Sequence, residues 1–148
     1  MLEISFSQRF EQEVQNLPFA QDLDKLKSDL KAHLEGIHND EMPVSYLGNT
    51  GAFNGPPDVA DAGMGKIHVW DTSTSWFTTQ KQRDWNHASH VGARRSDTFL
   101  VYCQHFFDEH RYQFLGVLVP GHEKIRHGGN GYGYLRPFVP DANNFQET

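Results

Sequence analysis

Two groups of residues in the second half of the chain have types and spacings suited to chemistry on an anionic ligand. The first is Lys81, Arg83, His87, His90, Arg94 and Arg95, opposed only by Asp84 and interleaved with Trp76, Phe77 and Trp85. The second is His122, Lys124, Arg126 and His127, followed by Tyr132, Tyr134 and Arg136 on a glycine-rich frame. Imidazole exchanges protons near neutrality because its ordinary pKa is about 6.5. Guanidinium is always charged, and its planar fork matches a phosphate. Proton transfer beside a phosphate, with aromatic faces nearby, is the chemistry these residues suit.

The charge distribution points the same way. The net charge is −6, which argues against a generic nucleic-acid binder. Residues 1–64 carry eleven acids and four bases, whereas residues 65–148 carry nine bases and eight acids. Seven of the nine histidines also fall in that second part, so any phosphate contact is expected there. The only cysteine, Cys103, lies in an apolar stretch and reads as a buried, inert thiol. A disulfide framework within the chain and a cysteine-based zinc site are therefore set aside.

The elements that must position these groups follow from the apolar pattern. The chain has 148 residues, the usual size of one domain, and residues 1–148 are read as one. Residues 2–6 alternate as a short strand that runs into a helix. Leu23, Leu26, Leu30 and Leu34 line one face of a helix over about 20–35, with Gly36 as its stop. Residues 36–65, broken by glycine and proline, are expected to be a loop-rich insert. Strands are expected at 66–70, 98–104 and about 111–119, the last two joined as a hairpin through 105–110. A polar insert, 71–97, separates the first two of these strands. Residues 128–148 read as an irregular tail. The fold class is α+β, with helices on one face of a twisted antiparallel sheet. No apolar run approaches the roughly 20 residues that span a bilayer. The start Met1-Leu2-Glu3-Ile4-Ser5-Phe6 lacks the features of a signal peptide, so a cytoplasmic location is expected.

The run Arg95-Ser96-Asp97-Thr98-Phe99-Leu100-Val101-Tyr102-Cys103-Gln104 is followed by Phe107-Asp108-Glu109, then Leu118 and Pro120, then His122, Lys124 and Arg126. Together with Ile67-His68, this ordered set over about residues 66–127 resembles the YafO family of bacterial toxins. The resemblance implies a RelE-like fold and a type II toxin–antitoxin role. It further implies ribosome-dependent cleavage of mRNA, neutralisation by an antitoxin protein, and no metal or other cofactor. Two departures accompany it. The chain is acidic where toxins of this wider fold are usually basic. Its segment His127-Gly128-Gly129-Asn130-Gly131-Tyr132-Gly133-Tyr134 replaces a basic helical tail.

On that reading the ribose 2′-hydroxyl is the nucleophile. The protein supplies a base, an acid and fixed positive charge for the phosphorane. His122, Arg126, Lys124 and His127 are the catalytic candidates. Lys81, Arg83, His87, His90, Arg94, Arg95, Tyr132, Tyr134 and Arg136 are the RNA-binding candidates. Arg94, Arg95, His122 and Arg126 are expected to share one concave face. Asp108 and Glu109 read as solvated turn acids, and His68 as a satisfied strand residue. Two other readings stand beside this one. The histidines admit a metal site, although no His-Glu-x-x-His signature is present. A non-catalytic toxin or protein-binding module of the same fold, such as a gyrase inhibitor, is the other.

Overall fold

The structure is a computed structural model, and it describes residues 2–39, 41–126 and 133–148. Strand β1 (Glu3–Phe6) leads into helix α1 (Gln8–Val14), where the Ser7 side chain accepts from the Phe10 N–H as an N-cap. A short 3-10 turn at Pro18–Ala20 precedes helix α2 (Leu23–His38), capped by Asp22. Its buried face carries Leu26, Leu30, His33 and Leu34. The helix runs through the buried Gly36 and stops at His38, where the Asn39 N–H donates back to the Glu35 and Gly36 carbonyls.

The middle segment is more regular than its glycine content suggests. It forms strand β2 (Leu47–Ala52) and helix α3 (Pro57–Asp61). Strand β3 (Met64–Val69), helix α4 (Thr79–Asn86), strand β4 (Phe99–Gln104) and strand β5 (Arg111–Leu118) follow. Helix α5 (Gly121–Arg126) comes directly after β5. The tail is not irregular throughout: helix α6 (Val139–Gln146) buries Ala142 and Phe145, with Phe138 just before it.

The five strands form one sheet in the order β1-β5-β4-β3-β2. The pairs β5/β4, β4/β3 and β3/β2 are antiparallel, as a meander requires, and β1 joins parallel to β5. The α+β class holds, in a RelE-like arrangement whose sheet is mixed rather than wholly antiparallel. The parallel edge arises because α1 and α2 return the chain across the sheet before β2 begins.

Helices cover both faces of the sheet, not one. Strand β4 is buried along nearly its whole length, which is the mark of a strand packed on both sides. Leu100 and Tyr102 meet Phe10, Val14, Leu26, Leu30 and Leu34 of α1 and α2. Phe99, Val101 and Cys103 face the second cluster, with Val59 of α3, Phe138, Ala142 and Phe145. Burial there pushes the Cys103 thiol up to about 12, so it stays protonated and inert. The C-terminal aromatics thus complete a core that the sequence reading assigned only to the N-terminal helices.

Candidate active site

The hairpin builds the site. Phe99 at the start of β4 pairs with Leu118 at the end of β5. The residues just outside those ends are therefore brought together. Asp97 lies before β4, and Gly121-His122 lie after β5. The Gly121 N–H donates to the Asp97 carbonyl at 2.6 Å, and the His122 N–H donates to Asp97 Oδ1 at 2.8 Å. Gly121 is needed at this point because a Cβ there would collide with the Phe99 ring.

The same carboxylate oxygen holds the imidazole. His122 Nδ1 is 2.6 Å from Asp97 Oδ1. The Asp97 side chain is 6% exposed and that of His122 is 35% exposed. An acceptor-only carboxylate places the ring proton on Nδ1. Nε2 is left as the nitrogen able to exchange protons with a ligand. Asp97 thus fixes both tautomer and orientation, as carboxylates do for catalytic imidazoles elsewhere. The ring is stacked on Trp76 at 4.4 Å between centroids and meets Phe99 edge-on at 5.3 Å.

His122, Asp97 and Trp76 line an open cavity of about 430 Å³, together with Ser73, Thr74 and Pro120. Behind the lining, Asp71 accepts from the Ser73 N–H at 3.0 Å and from Thr98 Oγ1 at 2.6 Å. Burial alone would raise the Asp71 carboxyl. The hydrogen bonds from Thr98 and Ser73 outweigh it, so the group sits below its ordinary value and remains charged. The Thr74 hydroxyl is shielded from solvent and has no hydrogen-bond partner among the described residues.

A second cavity of about 240 Å³ is also walled by Trp76, with Lys81, Asp84, Ala93 and Arg95 around it. Lys81 Nζ lies 3.5 Å from the Trp76 ring centroid, a close cation–π contact. Trp76 therefore links an imidazole–carboxylate pocket to a cation-bearing one. Lys66 on β3 stands beside this junction, its Nζ 4.8 Å from the Phe99 ring. Burial lowers the Lys66 ammonium pKa, and nearby Arg95 lowers it further. His68 is the buried neighbour, 6.1 Å from His122 between ring centroids. Its Nδ1 accepts from the Ser96 N–H at 2.9 Å. Burial first, then the Lys66 and His122 charges, hold it down to about 3, so it is neutral near pH 7. The strand histidine is satisfied, as its sequence position suggests.

The sequence-expected residues divide. Arg95, Lys81 and His122 meet around Trp76. Arg94 does not join them: its Nη1 donates to the carbonyls of Val44, Leu47 and Pro43 at 3.0, 3.1 and 3.4 Å. The expectation that Arg94 shares a face with Arg95 and His122 is thereby corrected. Its backbone is extended, and neighbouring side chains on extended backbone point to opposite sides. Of the three aromatics in the insert, Phe77 and Trp85 are core residues. Trp85 Nε1 donates to the Ser45 carbonyl at 3.0 Å. Arg83, His87 and His90 are exposed on α4 and just after it. Lys124 lies on α5 with Nζ 5.0 Å from the ring centroid of the half-exposed Tyr134. Arg136 pairs with Asp58 of α3 at 3.1 Å. Arg126 closes α5. His127 and Tyr132 lie outside the described residues.

Asp97 is the residue that sequence reasoning missed as a participant. The signal was available: antiparallel pairing juxtaposes a residue before one strand with residues after its partner. Among the described residues, no group of three or more His, Cys, Asp or Glu side chains is placed to hold a metal ion. No helix among them is long and apolar enough to cross a membrane.

The family model for Toxin YafO, type II toxin-antitoxin system, matches residues 31–147. That span takes in the second half of α2, both cavities and α6. No curated protein and no solved structure matches the chain.

Proposed function

The chain belongs to the YafO toxin family of type II toxin–antitoxin systems, and from that premise we propose that it is a metal-free endoribonuclease that cleaves mRNA on the ribosome. The observation that carries this reading is the Asp97–His122 pair at the mouth of a cavity. His122 Nε2 exchanges a proton with the reacting RNA while Asp97 stabilises the imidazolium. The 2′-hydroxyl attacks the adjacent phosphorus as its proton leaves to a base. The bond to the 5′-oxygen breaks, and that oxygen takes a proton from an acid. The products are a 2′,3′-cyclic phosphate and a 5′-hydroxyl. Lys66, Arg95 and Lys81 supply positive charge close to the junction, and Lys124 and Arg126 supply it from α5. Trp76 offers an aromatic wall of the kind that unstacked bases use.

The remaining RNA contacts are proposed for Arg83 on the exposed side of α4, for His87 and His90 just after it, and for Tyr134. Arg136 would have to give up Asp58 to take part. The substrate is mRNA, the partners are the ribosome and an antitoxin, and the compartment is the cytoplasm. The site is half open, so the ribosome is given the task of holding the RNA in line. Free protein is accordingly expected to cleave naked RNA poorly.

The test is induced expression in bacteria followed by mapping of mRNA 5′ ends. New 5′-hydroxyl ends within translated regions are expected, and they should disappear when ribosome loading is blocked. Growth arrest with intact mRNA and induced DNA damage would instead support the gyrase-inhibitor reading.

A further inference from the structure

At the other end of the hairpin, the turn between β4 and β5 carries Phe106 and Phe107. Phe107 is 91% exposed and Phe106 is 54% exposed. Leaving two adjacent phenylalanines in water forgoes a few kcal/mol of burial, and such patches mark interaction surfaces. The turn is also held in place. The Phe106 N–H donates to Gln146 Oε1 of α6 at 2.9 Å, and the Phe107 N–H donates to His105 Nδ1 at 3.2 Å. The His110 N–H donates to Asp108 Oδ1 at 3.0 Å. Phe107 is presented on a fixed frame, so little ordering entropy is left to lose on binding.

The surroundings select the kind of partner. Asp108, Glu109, Glu3 and Glu147 stand exposed at this end of the sheet. The local cation Arg111 is engaged by Glu3 at 3.4 Å and by Thr148 at 2.8 Å. An acidic rim repels phosphate, which disfavours ribosomal RNA as the occupant. It complements a polypeptide whose lysines or arginines flank an apolar slot. The tip is also remote from the cavity of His122. The eight residues of β5 separate them, about 25 Å at strand rise.

We propose that the Phe106–Phe107 turn is an anchor for the antitoxin, seated in an apolar slot bordered by basic side chains and leaving the Asp97–His122 cavity uncovered. The proposal rests on membership in a toxin–antitoxin family and not on the nuclease reading, so the two can fail separately. The experiment uses the full chain with Phe107→Ser, and Phe107→Leu as the conservative control, against the antitoxin co-encoded with it. Because Phe107 touches solvent, both variants are expected to fold, with thermal midpoints like the parent. Phe107→Ser should weaken antitoxin binding about 30-fold, and Phe107→Leu only a few-fold. Both should arrest growth as the parent does when expressed alone. Raised salt should weaken parent binding, since the rim is ionic. Unchanged antitoxin affinity for Phe107→Ser would overturn the proposal. So would loss of ribosome association or growth arrest with antitoxin binding intact, which would make the turn a ribosome contact.

Discussion

Arg94 and Arg95 are neighbours in the chain and serve two different regions. Arg94 turns toward the start of β2, where its guanidinium bridges the carbonyls of Pro43, Val44 and Leu47 close to Trp85 and His33. Arg95 turns to the Trp76 cavities, exposed and beside Lys81. In the first region polar groups are sealed and hold the fold. In the second they are half open, and the buried Asp97 serves to aim the part-exposed imidazole. Residue type marks both arginines alike; backbone geometry decides which one can meet a ligand.

The comparison breaks first if the open region is not the reacting one. His122→Gln keeps a polar side chain of similar reach but cannot shuttle protons. Cleavage in cells should fall about 100- to 10,000-fold, with the thermal midpoint nearly unchanged. Asp97→Asn should cost about 10- to 100-fold, since an amide oxygen can still hold the ring but the negative charge that stabilises the imidazolium is gone. Combined with His122→Gln it should add little, because the two act as a unit. Full activity in both single variants would remove the Asp97–His122 pair from the mechanism.

The arginines themselves sharpen it next. Arg94→Ala should lower stability by about 2 kcal/mol, because it strips the donor from several partly buried carbonyls. Its activity per folded molecule should be retained. Arg95→Ala should leave stability within about 0.5 kcal/mol and lower cleavage roughly tenfold. Denaturant titrations and 5′-end counts on the same samples separate the two outcomes. Equal stability losses would mean that the two side chains are not divided as described.

Much of the fold was legible because periodicity reports burial. The leucines of α2 and the β4–β5 hairpin appear where their spacing puts them. The β2 strand and α3 were hidden by Gly48, Gly51, Gly55, Pro56 and Pro57. Gly48 is nevertheless required inside the sheet edge, since a Cβ would strike Trp85 and the Arg94 backbone. The parallel pairing of β1 joins residues 108 apart, and the layer under α6 is tied by contacts 39 and 84 residues apart, which no local pattern encodes. At the site, His122 and Arg95 were found by type. Asp97 was overlooked because it stands outside both clusters, 25 residues from His122 in the chain. The pairing register turns it into the group that orients the imidazole.

The smallest expected effect concerns acid stability, and it again separates the sealed region from the open one. His33 is fully buried on α2. Thr50 Oγ1 donates to the Gly48 carbonyl, so it can only accept from His33 Nε2–H, 2.7 Å away. His33 Nδ1 is then the bare nitrogen, buried and without a partner among the described residues. Protonating it would bury an unpaired charge near Arg94, so burial, aided by that arginine, lowers its pKa to about 4. Between that value and the unfolded one the unfolded chain binds more protons than the folded chain. Stability is therefore present above about pH 6.5 and is lost as pH falls toward 4. By pH 5 the loss from this one residue should be on the order of 1–2 kcal/mol. His68 and the carboxylates add their own slopes, so the contribution of His33 is read by difference. Urea titrations of the parent and of His33→Gln at pH 7 and pH 5 should show a flatter pH dependence in the variant, whatever its stability at pH 7. Identical slopes for the parent and His33→Gln would mean that His33 takes up its proton in the folded state without penalty, and that the region around Arg94 and His33 is not sealed.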